Sequence, residues 1–285
     1  MHTGGSKFFL NRSLQSGVQG LPYRANQTED RPQAPSMGPW RIFQQWNDMI
    51  FAHWPVEAEG LGRLLPQGLE LDLLHGTAWL TVMAFRRASV RYAPLPPLPL
   101  FQNQPEINLQ LCVRETGSDR RGSLLLSKDA AHPFSFLATR CIYRIPSYWS
   151  EMYFERRSAQ SFSIYSRRRF GKETVFFRGR YRSMGAGFQI GTARQGSLEE
   201  FLMERYQMYL GEAGALPIRY QLRHQPWVIE RAEAELERND LAKTLGIQLA
   251  EQPACMHFVP RIQVAIGRGI RLTPPAAAPA AERIA

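Results

Sequence analysis

From Ile107 to Arg114 apolar and polar residues alternate without a break. Ile107, Leu109, Leu111 and Val113 fall on one side, and Asn108, Gln110, Cys112 and Arg114 on the other. A side-chain period of two belongs to an extended strand. Glu106 continues the polar series, so Glu106, Asn108 and Gln110 share one face at i, i+2, i+4. The leucine face must enter a core. The polar face meets either solvent or the inside of a pocket, where ligand-orienting groups belong.

Other segments point the same way. Thr77 to Phe85, Ser123 to Ser127, Ser135 to Ile145, Ile218 to His224 and Phe258 to Ile266 read as strands. Phe162 to Arg168 and Thr174 to Tyr181 read as a hairpin turning at Arg169-Phe170-Gly171-Lys172. Helices are few. The spacing of Ile42, Phe43, Trp46, Ile50 and Phe51 suits a short helix running into a strand over Trp40–Trp54. Glu57–Leu65 reads as a second short helix, stopped by Pro66 and Gly68. Ser197 and Glu200 form a capping box for a helix over Leu198–Leu210, with Leu198, Phe201, Leu202, Tyr206 and Tyr209 as its apolar stripe. Trp227–Glu237 fits helix propensity and strand alternation alike. The Pro-rich run 93–101 is a rigid loop. Many strands, few helices and no βαβ rhythm argue for an α+β, mostly-β fold, antiparallel and barrel-like.

The ends differ from the middle. Residues 1–38 are rich in Gly, Ser, Gln, Asn and Pro and show neither period. They read as a disordered tail or an over-extended start, with Met37 as the alternative initiator. Residues 273–285 form a Pro/Ala tail. A single domain is expected over 39–272. No apolar run approaches the roughly 20 residues of a membrane span, and the N-terminus has no secretory pattern. Cys112, Cys141 and Cys255 are an odd, widely spaced set without a CxxC pair. They read as buried thiols of a reducing compartment, so a cytoplasmic location is expected.

Several chemistries lack their signatures. There is no phosphate loop, no dinucleotide-binding glycine motif and no nucleophile elbow. His53, His75, His132, His224 and His257 show no metal spacing, so neither metal nor cofactor is expected. The net charge of +10 is compatible with an anionic partner. Nine Arg or Lys between Arg156 and Arg182 are interleaved with Phe162, Tyr165, Phe170, Phe176, Phe177 and Tyr181. This is either a nucleic-acid or anion-binding surface or, the reading favoured here, a hairpin with aromatics inward and arginines in water. Nucleic acid is therefore not an expected partner. The oligomeric state is not legible in the sequence.

A set of segments in order resembles the YqjF-like family, a group related to acetoacetate decarboxylase. These are WNDMIFAHWPV (46–56), LLPQGLELD (64–72), Glu106-Ile-Asn-Leu, Ala138-Thr-Arg140 with Ile145-Pro-Ser-Tyr148, SLEEFLMERYQMY (197–209) and His224-Gln-Pro-Trp227. The resemblance implies a closed or cone-shaped antiparallel β structure with a central cavity and a few flanking helices. In the decarboxylase a pocket glutamate and an arginine precede a proline and two lysines. The first lysine forms an imine with the keto acid; the second lowers its pKa. By this resemblance Glu106 corresponds to the glutamate and Arg140 to the arginine. Pro146 stands six residues beyond Arg140, and Ser147 and Tyr148 occupy the lysine positions. Neither can form an imine, so the decarboxylase mechanism is not carried over. Lys128 is the only lysine of this region able to substitute. Asp129 beside it is expected to hold it charged and unreactive. The family pattern has an arginine where this chain has Gln110, and Arg114 is the nearby basic residue to compensate.

The candidate ligand-binding residues are thus Glu106, Asn108, Gln110, Arg140, Ser147 and Tyr148, with Glu106 and Tyr148 the candidate acid–base groups. Arg140 lies in an apolar run, where a charge needs a partner or a cavity. Glu106 is the expected partner, as a structural bridge or as a carboxylate clamp. The expected ligand is a small organic acid or carbonyl compound. The rival expectation is a non-catalytic module using the basic hairpin 155–182.

Overall fold

The computed structural model describes residues 40–96, 102–141, 145–170, 174–185, 189–191 and 196–273. The expectations for 1–38, for all but the first residue of 273–285, and for much of the Pro-rich run and the Gly171 turn lie outside these residues. In chain order the strands are β1 (Ile42–Val56), β2 (Leu69–Leu71), β3 (Ala78–Tyr92), β4 (Gln104–Glu115) and β5 (Arg121–Ala130). After helix α1 (Pro133–Cys141) come β6 (Ser147–Arg156), β7 (Ser161–Arg168), β8 (Phe176–Ser183) and β9 (Gln189–Gly191). Helix α2 (Leu198–Met203) precedes β10 (Gln207–Leu210), β11 (Ile218–His224), β12 (Ile229–Asn239), β13 (Cys255–Ile266) and β14 (Ile270–Arg271).

The strands close on themselves twice. Pairing in the order β5-β6-β7-β8-β12-β13-β1-β3-β4, with β4 back on β5, makes a nine-strand ring. A second ring leaves β5 through β10 and β11 and rejoins at β13, so it has seven strands. The two rings share β13, β1, β3, β4 and β5. Because side chains alternate across a strand, each shared strand serves one core with its odd positions and the other with its even ones. Ile107, Leu109 and Leu111 of β4, Leu80, Val82 and Ala84 of β3, and Ile50, Ala52 and Trp54 of β1 fill the nine-strand ring with Phe162, Phe177 and Tyr181. Phe51, Met83, Phe85, Leu125, Val259 and Val264 face the seven-strand ring, with Leu202, Met203 and Trp227. Gly122 allows the second closure. A Cβ there would lie 2.5 Å from the Tyr209 ring and 2.6 Å from the Gln207 carbonyl, so only glycine lets β5 and β10 run this close.

Four sequence expectations need correction. The segment over Trp40–Trp54 is strand, not helix. Register shifts against β3 between Phe43 and Gln45 and between Asn47 and Ile50 break the period of two, with Asp48 at φ 50°. The second shift puts its extra residue in β1, so the face toward the seven-strand ring passes from Ile42 and Trp46 to Met49 and Phe51, a change of phase that imitates helical spacing along an extended chain. Of Glu57–Leu65 only a 3-10 turn at Leu61–Leu64 is helical. The capped helix stops at Met203. Ser197 Oγ accepts from the Glu200 amide at 3.1 Å as expected, but residues from Gln207 on pair with β11 and β5 instead. Tyr206 and Tyr209 are buried, but not as part of a helical stripe.

The fourth correction matters most for the site. Over residues 135–141 of the expected strand Ser135–Ile145 the chain is helical: Pro133–Cys141 is α1. Pro133 supplies the preset φ of a first helical turn. Ser135 and Thr139, one turn apart, are the buried face, and Thr139 Oγ1 donates to the Ser135 carbonyl at 2.7 Å. Arg140 points away and is exposed. The cysteines also divide: Cys112 is buried, Cys255 half-buried and Cys141 exposed. Among the described residues no helix is long and apolar enough to cross a membrane.

Candidate functional site

The seven-strand ring is not filled. Its centre holds a cavity of about 120 Å³. Trp46, Phe51, Met83, Leu125, Leu202 and Trp227 give it an apolar wall; Arg87, Glu106, Asn108, Gln110, Lys128 and Gln207 give it a polar one. Thr139 of α1 joins the lining. The polar face of β4 read from the sequence is thus the face that meets the cavity.

Glu106 is the hub of the polar wall. Its Oε1 lies 2.7 Å from Lys128 Nζ and accepts from Asn108 Nδ2 at 3.2 Å. Its Oε2 lies 3.6 Å from an Arg87 terminal nitrogen, an ion pair but too long for a hydrogen bond. Arg87 in turn donates to Ser135 Oγ at 2.9 Å, so α1 holds the guanidinium in place. Burial opposes ionisation of Glu106, yet the charges of Lys128 and Arg87 prevail and keep its carboxyl below the usual range. Burial brings Lys128 down from 10.5 to about 8, with Glu106 resisting and Arg87 assisting. The cluster therefore sets two buried cations against one buried carboxylate.

A second polar layer lies behind the apolar wall. Thr81, which lines the cavity, sits 2.9 Å from His53 Nδ1. His53 faces His257 with ring centroids 5.2 Å apart. Burial, then the neighbouring His257 and Arg205, hold His53 well below its ordinary value. Arg205 also lines the cavity, but its terminal nitrogens are committed to the Gly122 carbonyl at 3.0 Å and Asp72 at 2.9 Å.

The structure brings together three of the six candidate residues, Glu106, Asn108 and Gln110. Arg140 does not reach Glu106. It sits exposed on α1, and its guanidinium donates to the Ser147 carbonyl at 3.2 Å. Arg87 takes the partner role expected of it. Ser147 is fully buried and directly opposite Lys128 in the parallel β5–β6 register, outside the cavity lining. Tyr148, one residue on, turns to the other side, where Arg168 stacks 3.7 Å above its ring. Arg114 does not compensate for Gln110; it pairs with Glu70 at the surface, 2.6 Å away. The expected restraint of Lys128 by Asp129 also fails. Strand alternation sends Asp129 to the nine-strand side, where Ser166 and Arg168 bind its two oxygens at 2.8 and 2.9 Å.

Arg87 escaped the sequence reading, and Lys128 entered it only as a substitute imine lysine that was set aside. Arg87 continues the series Thr81, Met83, Phe85 on one face of β3, and that phase was its signal. Lys128 lies opposite Asn108 across β4 and β5, but a bulge between Leu109 and Gln110 hides the register. The basic hairpin, by contrast, offers few unmatched charges. Arg178 meets Glu237 at 2.8 Å, Arg182 meets Glu233 at 2.9 Å, Arg167 meets Glu151 at 2.7 Å, and Arg156 meets Asp48. Phe162, Phe177 and Tyr181 are core residues. Among the described residues no group of three or more His, Cys, Asp or Glu is placed to hold a metal ion.

The family described as an uncharacterized conserved protein, DUF2071, matches residues 43–263. The chain belongs to the DUF2071 family. It is 34% identical over 227 residues to the uncharacterized protein YqjF of Bacillus subtilis, covering 80% of this chain and 90% of that one. Among solved structures, this DUF2071 chain resembles acetoacetate decarboxylase from Legionella pneumophila (TM-score 0.57, 12% identity, 87% of this chain and 93% of the other). It also resembles the enduracididine biosynthesis enzyme MppR complexed with the condensation product of pyruvate and imidazole 4-carboxaldehyde (TM-score 0.56, 10% identity, 84% and 91%). At such identities the likeness establishes the fold: the DUF2071 chain has the acetoacetate-decarboxylase-like β architecture expected of it.

Proposed function

We propose that this chain is a pocket protein for a small organic acid or carbonyl compound, bound in the seven-strand ring. Arg87 and Lys128 hold the anion; Glu106 orients it or moves a proton, and the apolar wall receives the rest of the molecule. One observation carries the reading. A buried cluster with two cations and a single carboxylate lines a cavity of about 120 Å³, and a carboxylate ligand would restore its charge balance. The pyruvate-derived ligand of the MppR structure is consistent with it. So is the surface hairpin, most of whose arginines are matched by carboxylates and leave the rival surface-binding reading little free charge.

The reading is tested by calorimetric titration of the purified chain with small carboxylic acids, beside native mass spectrometry for a co-purified molecule. An Arg87→Leu variant that keeps its circular dichroism spectrum is expected to lose at least tenfold in affinity for any acid that binds. Unchanged affinity would end the assignment.

A second reading rests on one further observation. Lys128 stands directly across the sheet from Ser147, the position that matches the decarboxylase lysine, and its pKa is lowered to about 8. On this reading the amine comes from the neighbouring strand. It would add to a ligand carbonyl and expel water, leaving an imine that borohydride reduces to a stable secondary amine. Treatment with acetoacetate and borohydride separates the two: a mass increment mapped to Lys128 supports the imine, and an unmodified Lys128 supports reversible binding alone.

A further inference from the structure

We propose that the cavity selects a small hydroxycarboxylate, an acid whose hydroxyl donates a hydrogen bond, over the matching keto acid or unsubstituted acid. The inference rests on the organic-acid reading above and narrows its ligand. Its basis is which buried polar atoms of the wall lack a hydrogen-bond partner among the described residues. Arg87 Nε and Arg205 Nε have no acceptor, whereas Glu106 Oε2, Asn108 Oδ1 and Gln207 Oε1 have no donor. These five residues are only 5–7% exposed, and all line the cavity. The orientation of Asn108 is fixed, because its amide nitrogen is already given to Glu106 Oε1. Its carbonyl oxygen is therefore the atom left open.

A buried acceptor without a donor has lost its water with nothing in return, so a ligand that answers the set is favoured over one that does not. A carboxylate answers Arg87 and Lys128. A ketone oxygen also only accepts, so a keto acid leaves the three wall oxygens facing lone pairs. A hydroxyl supplies the missing donor. An α-amino acid also brings donors, but its zwitterion carries no net charge and leaves the surplus cation uncompensated. Size agrees: an apolar cavity of about 150 Å³ holds a benzene molecule, so this one takes on the order of six non-hydrogen atoms.

The test is calorimetric titration of the full chain at neutral pH with matched acids. One trio is lactate, pyruvate and propionate; the other is 3-hydroxybutyrate, acetoacetate and butyrate. Both enantiomers of each hydroxy acid are used, and alanine is the control. In at least one trio the hydroxy acid is expected to bind at least tenfold more tightly than its two relatives, and more tightly than alanine. If in both trios the keto or plain acid binds as well or better, the hydroxyl inference is overturned while the organic-acid reading stands. Alanine as the tightest ligand would overturn it through the charge argument. If none of these acids binds, both readings fall. Asn108→Leu and Gln207→Leu should each lower the hydroxy-to-keto affinity ratio toward one, with the plain acid little changed. Should one variant not fold, the other decides, and an unchanged ratio in a folded variant overturns the inference.

Discussion

The two rings share five strands and differ in what those strands enclose. The nine-strand ring is filled by a core that includes Leu80, Leu109, Leu111, Phe162 and Tyr181. Its buried charge is closed: Asp129 has both oxygens bonded, and Arg168 is bonded to Asp129 and, at 3.0 Å, to Ser127. The seven-strand ring keeps a hole, and its buried charge is open: Glu106, Arg87, Asn108 and Gln207 each retain an atom without a hydrogen-bond partner among the described residues. Lys128 and Asp129 are adjacent in the chain yet belong to opposite sides of this division. The contrast teaches where stability and function are kept apart in one sheet. One face is satisfied by its own residues, and the other is built to be satisfied by something else.

The largest effect expected from breaking this contrast is on the closed side. Arg168→Met leaves Asp129 buried at 1% exposure without its cation, and a buried pair broken by removal of one partner costs about 3–5 kcal/mol. Urea denaturation followed by circular dichroism reads it. A loss below about 1 kcal/mol would mean that the pair is not sealed as described. Next in size is a paired truncation. Leu109→Ala in the packed ring is expected to cost about 3 kcal/mol, because the void cannot collapse. Leu125→Ala merely enlarges an existing hole and is expected to cost about 2 kcal/mol or less. Equal losses would argue that the seven-strand ring is as tightly filled as the other.

How far was this division legible in the sequence? The alternation from Glu106 to Val113 displayed both faces of β4 correctly, because the bulge opposite Leu109 and Gln110 takes its extra residue from β5 and leaves the period of β4 intact. It grouped Glu106, Asn108 and Gln110 on one face, and the family resemblance, not the period, turned that face toward a pocket. What failed had physical causes that a one-dimensional pattern conceals. A bulge in β1 between Asn47 and Ile50 imitated helical spacing. The apolar run around Arg140 folded as α1 and turned its arginine outward, so the partner of Glu106 came instead from β3. The alternation rule that assigned Glu106 correctly, had it been applied to Lys128 and Asp129, would have shown that they cannot restrain one another.

A smaller effect separates the rings by pH. Lys128 has a folded pKa of about 8 against an ordinary 10.5, so between those values the unfolded chain binds more protons than the folded one. Stability contributed by this group therefore rises as pH increases from about 8 toward 10.5 and is flat below, with a gain on the order of 1 kcal/mol between pH 7 and 9. The protonated amine is also what holds an anion, so acid-ligand affinity should fall across the same window. Stability and affinity moving in opposite directions is the signature. His53 acts at the other end: its folded pKa lies below 6.5, so its contribution is lost as pH falls below that value.

The smallest expected change in stability comes from Lys128→Met at pH 7. The substitution removes a buried cation whose neighbour Arg87 repels it, and leaves Glu106 with a single counter-charge in Arg87 at 3.6 Å. Removing one partner of a buried pair is costly because it strands a lone charge, and here Arg87 still compensates Glu106. The change should therefore stay within about 1 kcal/mol of zero, and the pH-dependent gain above pH 8 should vanish with it. Acid binding should vanish as well, since the cluster would no longer carry surplus positive charge. Arg168→Met and Lys128→Met each remove one buried cation, one costing the fold and the other only the ligand. If Lys128→Met proved as destabilising as Arg168→Met, Lys128 would be a structural counter-ion of Glu106. The open ring would then be only an imperfectly packed copy of the closed one.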